Sequence, residues 1–131
     1  KKILGARIPG SDRLKKGNDV EDAIYLTNKL KKIGFNYVCV SSGGIIPKTN
    51  LKIKNGFNVD LAEKIKKKSK IIVRTSGKIN NIDFANKLIK NKCVDLICIG
   101  KKFISEPNFL LKQMDKRLKK KLIPNQYKRC I

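Results

Sequence analysis

The stretch Val94-Asp95-Leu96-Ile97-Cys98-Ile99-Gly100-Lys101 decides how the sequence is read. It is a short, nearly unbroken apolar run closed by a glycine and a lysine. A run this short, rich in β-branched residues, reads as a strand covered on both faces. The same design recurs upstream at Ile3–Ile8, Tyr37–Val40 and Ile71–Val73. Helical periodicity separates the runs, and a further helix follows the last one. The order βαβαβαβα predicts an α/β fold, a parallel sheet with helical crossovers.

The helices are punctuated. Asn18 is the expected cap of the first, with Glu21 completing a capping box. Acidic Asp19, Glu21 and Asp22 sit at its start and Lys29, Lys31 and Lys32 at its end, matching the helix dipole. Val20, Ala23, Ile24, Thr27, Leu30 and Ile33 share one face, and Gly34 supplies a left-handed stop. A second helix is expected over Val59–Lys68, with Ala62 and Ile65 inward. A third is expected over Ile82–Asn91, with Ala85, Leu88 and Ile89 inward. The last is expected over Glu106–Lys120, capped by Ser105, with Pro107 in its first turn. Residues 1–121 thus make four βα units, and residues 122–131 form a tail without periodicity.

Each strand is followed by glycine: Gly10 after the first, Gly43 and Gly44 after the second, Gly77 after the third, Gly100 after the fourth. In a parallel sheet these loops share the edge at which α/β folds bind ligands. Two readings stand side by side. The glycines turn the chain, or they let the backbone approach a phosphate, with Lys101 supplying charge. Neither GxGxxG nor GxxxxGK[ST] occurs, so no motif supports a doubly wound nucleotide fold. Half of a (β/α)8 barrel accepts the same order. The loops after a barrel's last two strands commonly hold phosphate, and Gly77 and Gly100-Lys101 would occupy them.

Composition narrows the rest. The chain has 131 residues, 40% of them hydrophobic, which suits one packed domain. No apolar run reaches the ~18 residues of a membrane span. Arg7 interrupts the first run too early for a signal peptide, so a cytoplasmic protein is expected. There is no histidine, which excludes histidine-based triads and imidazole metal sites from these residues. The formal charge of +22 invites a nucleic-acid reading. But the 27 lysines are spread over every helix, and 18 isoleucines and 12 asparagines accompany them. That is the bias of A/T-rich coding, and no nucleic-acid motif joins it, so no specific nucleic acid is expected. Cys39, Cys93, Cys98 and Cys130 form no CxxC pair and read as free thiols of a reducing compartment, not as a metal site.

Four segments resemble the C-terminal half of the old yellow enzymes. They are Ala6-Arg7-Ile8-Pro9-Gly10-Ser11-Asp12, Tyr37-Val38-Cys39-Val40-Ser41-Ser42-Gly43-Gly44, Val94–Lys101 and Pro124-Asn125-Gln126-Tyr127-Lys128-Arg129. They run in the same order with compatible spacing, and the bacterial, short-tailed (YqjM-like) subgroup looks most similar. The resemblance implies strands five to eight of a TIM (β/α)8 barrel. It implies an FMN-dependent NAD(P)H oxidoreductase, an ene-reductase that reduces activated alkenes or enones. By the same resemblance Arg7 contacts the flavin, Gly77 and Gly100 approach the FMN phosphate, and Lys101 stands where the family usually has arginine. A lysine keeps the charge and loses the bidentate fork. Ser42 and Gly43 would line the substrate pocket, and Arg129 would reach a neighbouring subunit of a homo-oligomer.

The family's substrate-binding His–His or His–Asn pair and its proton-donating tyrosine lie before strand five and match nothing here. No catalytic residue is therefore assigned to this chain, and it is expected to be inactive without the N-terminal half of the barrel. Two other functions remain open on the residues alone: a non-catalytic flavin- or phosphate-binding half-barrel, and a basic nucleic-acid-binding domain.

Overall fold

The computed structural model describes residues 2–43, 53–115 and 125–130, the last three of these by backbone alone. Four strands, β1 (Gly5–Pro9), β2 (Tyr37–Ser41), β3 (Ile72–Thr75) and β4 (Leu96–Ile97), alternate with helices α1 (Val20–Lys32), α2 (Val59–Ser69) and α3 (Ile82–Lys90). Two short helices, α4 (Lys101–Ser105) and α5 (Phe109–Met114), follow, then a 3-10 turn over Asn125–Cys130 that lies against α4. All pairings are parallel and the strand order is β1-β2-β3-β4. Each strand is laid beside its predecessor, without the reversal that makes a crevice in doubly wound sheets. Sequential order is how a (β/α) barrel advances. The result is a small parallel sheet flanked by helices, the arrangement of a partial barrel.

The core lies between the sheet and the helices. Ile8, Val38, Val40 and Val73 from the strands meet Ala23, Ile24, Leu61, Ala62, Ile65, Ala85 and Leu88 from α1, α2 and α3. Strand alternation turns the intervening residues to the other face. That face carries Arg7, Cys39, Arg74 and Leu96 side by side in one register. Here the structure corrects the reading of strands covered on both sides. Ile72 and Leu96 are about half exposed, and the described helices pack on one face only. A continuous apolar run is the same whether a helix or another polypeptide covers its second face, so the pattern alone does not separate the two.

Other corrections are local. Asp19, not Asn18, caps α1: its carboxylate accepts the Glu21 and Asp22 amides, and Asp22 accepts the Asp19 amide in return. Asn18 is engaged elsewhere, donating its backbone and side-chain N–H groups to buried Asp12 at 2.8 and 2.9 Å. Ile33 closes α1 and is exposed, and Gly34 follows with φ +99°. Ile89 is also partly exposed, whereas Ala85 and Leu88 are buried. Strand β4 is shorter than Val94–Ile99 because Asp95 extends the ladder through its side chain. Its amide donates to Val73 O and its carboxylate accepts the Val73 amide, both at 2.9 Å.

The single helix expected over Glu106–Lys120 is broken. Pro107 disfavours helical backbone at Glu106, which adopts φ −148°, ψ 79°. Ser105 therefore ends α4 instead of capping a helix, and its hydroxyl donates to Lys102 O at 3.0 Å. Residues 116–120 of that expected helix lie outside the described residues. Buried Glu106 then joins the two short helices, pairing with Lys102 at 2.6 Å and Lys112 at 3.0 Å. No described helix is long and apolar enough to cross a membrane.

Candidate functional site

The loops after the strands gather at one edge of the sheet and are tied to one another. Gly10 N–H donates to Ser41 O at 2.6 Å, and Gly43 N–H donates to Ser11 O at 3.3 Å. The first two loops are thereby joined. Gly56 N–H donates to Gly77 O at 2.8 Å, which fastens the loop after β3 to the turn before α2.

Arg13 bridges the two halves of this edge. It adopts φ +54°, an unfavourable backbone for a residue with a side chain, and reaches across the sheet. Its Nε–H donates to Ser42 Oγ at 3.0 Å and its terminal N–H to Phe57 O at 2.6 Å. Ser42 in turn donates to Asn58 Oδ1, and Asn58 is buried beneath. The sequence reading placed Ser42 on a pocket wall; in the structure its hydroxyl is already spent inside this network. Arg13 and Asn58 were not singled out from the sequence. Their partners lie 29, 44 and 16 residues away, and only the register of the strands brings them together.

The residues expected to hold a cofactor separate into two groups. Gly77 and Gly100 follow β3 and β4, whose ends are adjacent through the Thr75–Ile97 pair. The Cys98 amide donates to Thr75 O at 2.8 Å, holding these two loops together. Gly77 has φ +127°, and a Cβ there would sit 3.2 Å from the Asn58 backbone nitrogen. Its lack of a side chain is thus required by the protein itself. Gly100 differs. Its φ is −98° and a Cβ would meet nothing within 4 Å, so the space above it is open. Lys101 follows at the first position of α4, exposed, with no ion pair or hydrogen bond to any described residue. An open glycine beside an unengaged ammonium suits the donor chemistry of a phosphate.

Arg7 lies elsewhere. It is the middle residue of β1, not its end, and is exposed on the uncovered face. Its Nε–H donates weakly to Ser41 Oγ at 3.4 Å. Gly43 turns the chain after β2 with φ +69°. Arg129 falls in the 3-10 turn, and its side chain lies outside the described residues.

A shallow cavity of roughly 420 Å³ opens at the opposite edge, lined by Lys66, Lys67, Lys70, Ile72, Lys92 and Asp95. Most of these lysines close helices, where cations oppose the dipole. Lys66 pairs with Asp95 at 2.9 Å, so that edge is accounted for by folding.

No protein-family profile matches the chain. Among curated proteins, it is 34% identical over 106 residues to an NADPH dehydrogenase of Bacillus pumilus. That match spans 81% of this chain and 31% of the relative. Over most of its length, this chain is similar to a family of NADPH-dependent oxidoreductases. An NADPH dehydrogenase of Bacillus subtilis is 29% identical over 127 residues, 96% of this chain and 37% of that one. The chain therefore spans about a third of the length of the curated relatives it matches. Among solved structures, a 2-naphthoyl-CoA reductase complex superimposes with a TM-score of 0.70 at 20% identity, covering 82% of this chain and 17% of that one. Histamine dehydrogenase from Rhizobium sp. 4-9 gives 0.71 at 14% identity, covering 88% and 17%. At such identities the likeness speaks for the fold alone.

Proposed function

We propose that this chain is the FMN-binding C-terminal part of an NAD(P)H oxidoreductase that reduces activated alkenes, with β1 to β4 as strands five to eight of a TIM barrel. The observation that carries the reading is the pair Gly100-Lys101. It stands open and unengaged by any described residue at the C-terminal edge of a sequentially ordered parallel sheet, where a barrel holds phosphate. The similarity to NADPH dehydrogenases over most of the chain supports it. When bound, the flavin would supply the hydride chemistry. Lys101 would neutralise the phosphate, Gly100 would admit it, and Gly77 would shape the adjoining loop around Asn58. Arg7, in the middle of β1, would lie against the flavin and stabilise negative charge on it. Ser42, Gly43 and Arg129 would face the substrate side, as the resemblance implies. These roles position a cofactor and move no proton, so the chain alone is proposed to be inactive. Activity belongs to the complete barrel, which we take to be a cytoplasmic homo-oligomer; the described cysteines, all free thiols, suit a reducing compartment.

The test is an FMN titration followed by flavin fluorescence. Saturable binding by the chain, weakened about tenfold or more in Lys101→Ala and falling with salt, is expected from loss of one charge-assisted contact. Indifference to FMN would defeat the cofactor assignment. Sustained FMN-dependent NADPH oxidation by this chain would defeat the claim of inactivity.

A further inference from the structure

The loop after β1 holds a guanidinium group that neither folding nor the cofactor reading uses up. Residues 11–18 form a stapled turn. The Asp12 amide donates to Asn18 O at 2.9 Å, and Asn18 donates in return to the buried Asp12 carboxylate. Ser11 Oγ donates to Asn18 O at 3.3 Å and accepts the Arg13 amide at 3.0 Å. The turn is so close that a Cβ at Gly17 would lie 2.7 Å from Asp12 Cβ. Arg13 stands in this turn with φ +54°. A residue with a side chain keeps such a backbone only where its surroundings fix it, and such positions gather at ligand sites.

The Arg13 side chain is fixed as well. Nε and Nη2 lie along one edge of the planar group, and both protein contacts fall on those atoms. Nε–H donates to Ser42 Oγ and an Nη2 N–H donates to Phe57 O. Nη1 has no acceptor among the described residues, and the second Nη2 N–H has none either. Together they leave the end of the fork, two parallel N–H groups on an exposed residue, without a partner there. All ten acidic residues of the chain lie among the described residues, and none forms an ion pair with Arg13. Its neighbour Asp12 is engaged by Asn18. A surface arginine ordinarily samples many rotamers. This one is held before any ligand arrives, which lowers the entropy lost on binding.

Position and shape select the ligand. The fork stands at the C-terminal edge of the sheet, bonded to Ser42, which the resemblance sets on the wall of the substrate pocket. It is planar and carries one charge, which matches a planar carboxylate in two parallel hydrogen bonds. A tetrahedral phosphate is better held by donors from several sides. We infer that Arg13 binds a carboxylate of the substrate, so that the substrate is an activated alkene bearing an acid group. The substrate class rests on the reductase reading above, whereas the carboxylate site rests on Arg13 itself.

The probe is 4-oxopentanoate, a saturated keto acid that does not alkylate the free cysteines, compared with its neutral amide, 4-oxopentanamide. Each is titrated into the whole chain at roughly 0.15 M salt, where general attraction to surface charge is largely screened. The Arg13 Nε–H resonance in a nitrogen-15 spectrum reports the site. The acid is expected to move that resonance and to bind about tenfold tighter than the amide, as a charge-assisted contact should. Arg13→Gln should abolish the preference. Arg13→Lys, which keeps the charge without the fork, should keep part of it. The inference is overturned if the acid leaves the Arg13 resonance in place, if acid and amide bind equally, or if the preference survives in Arg13→Gln. The last result would mean general attraction to a basic chain. It is also overturned if inorganic phosphate moves the resonance at lower concentration than the acid, which would assign the fork to a phosphate. The resonance is read in the parent chain, so the outcome does not depend on Arg13→Gln folding. FMN is titrated separately. A chain that binds FMN and ignores the acid overturns this inference alone, and one that binds the acid at Arg13 and ignores FMN overturns the cofactor assignment alone.

Discussion

Gly77 and Gly100 occupy equivalent places after neighbouring strands, yet alanine at the two positions should act oppositely. At Gly77 the backbone has φ +127°, where an L side chain is strained. That conformation costs about 1–3 kcal/mol. The new Cβ would lie 3.2 Å from both the backbone and side-chain nitrogens of Asn58, and 3.3 Å from the Phe57 ring. Asn58 is held by Ser42 and is buried, so it yields poorly, and crowding of this kind adds about 1 kcal/mol. Gly77→Ala should therefore lose about 3 kcal/mol, a large share of the ~5–15 kcal/mol of a typical domain. For a chain of this size the melting midpoint should fall by roughly 10 °C. Gly100→Ala meets open space at φ −98° and should stay within about 0.5 kcal/mol of the parent. Its effect should appear in the FMN titration instead, as weakened binding. Urea unfolding followed by circular dichroism measures the first pair of numbers. A Gly77→Ala variant as stable as the parent would refute the reasoning, because it would mean that the loop relaxes away from Asn58.

Glu106→Gln should destabilise the junction of α4 and α5 by about 2–3 kcal/mol, because two lysines are left beside a buried neutral amide. The Lys102 ammonium, and then Lys112, hold the Glu106 carboxyl below its ordinary value against the opposing effect of burial. The unfolded chain therefore binds the proton more tightly. This contribution is complete above the ordinary carboxylate value and fades as pH falls through the lower folded value. The acid limb of the stability–pH curve should be shallower in the variant, and an unchanged limb would count against the ion pair. Asp19→Ala should cost about 1 kcal/mol through loss of the α1 cap, whereas Glu21→Ala should be nearly neutral by the same urea assay.

Which residues form strands and helices was legible because it is local chemistry. Apolar runs of three to six residues, acids before helices and lysines after them act within a turn or two. The misplacements have local causes of the same kind: Asp12 claims Asn18, and Pro107 breaks a periodic run at Glu106. The edge network was not legible. Arg13 reaches Ser42 and Phe57 only after three strands are in register, and nothing in its neighbours along the chain marks it. Arg74 is the sharper case. Within Ile71–Arg74 it reads as the polar end of an apolar run, whereas in the sheet it shares a rung with Arg7 through Cys39. Alternation then places both guanidinium groups on the face the helices leave open. Hydrophobic pattern shows that a face is to be buried, but it does not show by what. The two arginines of that face therefore become neighbours only once β1, β2 and β3 are in register, which no stretch of the sequence displays by itself.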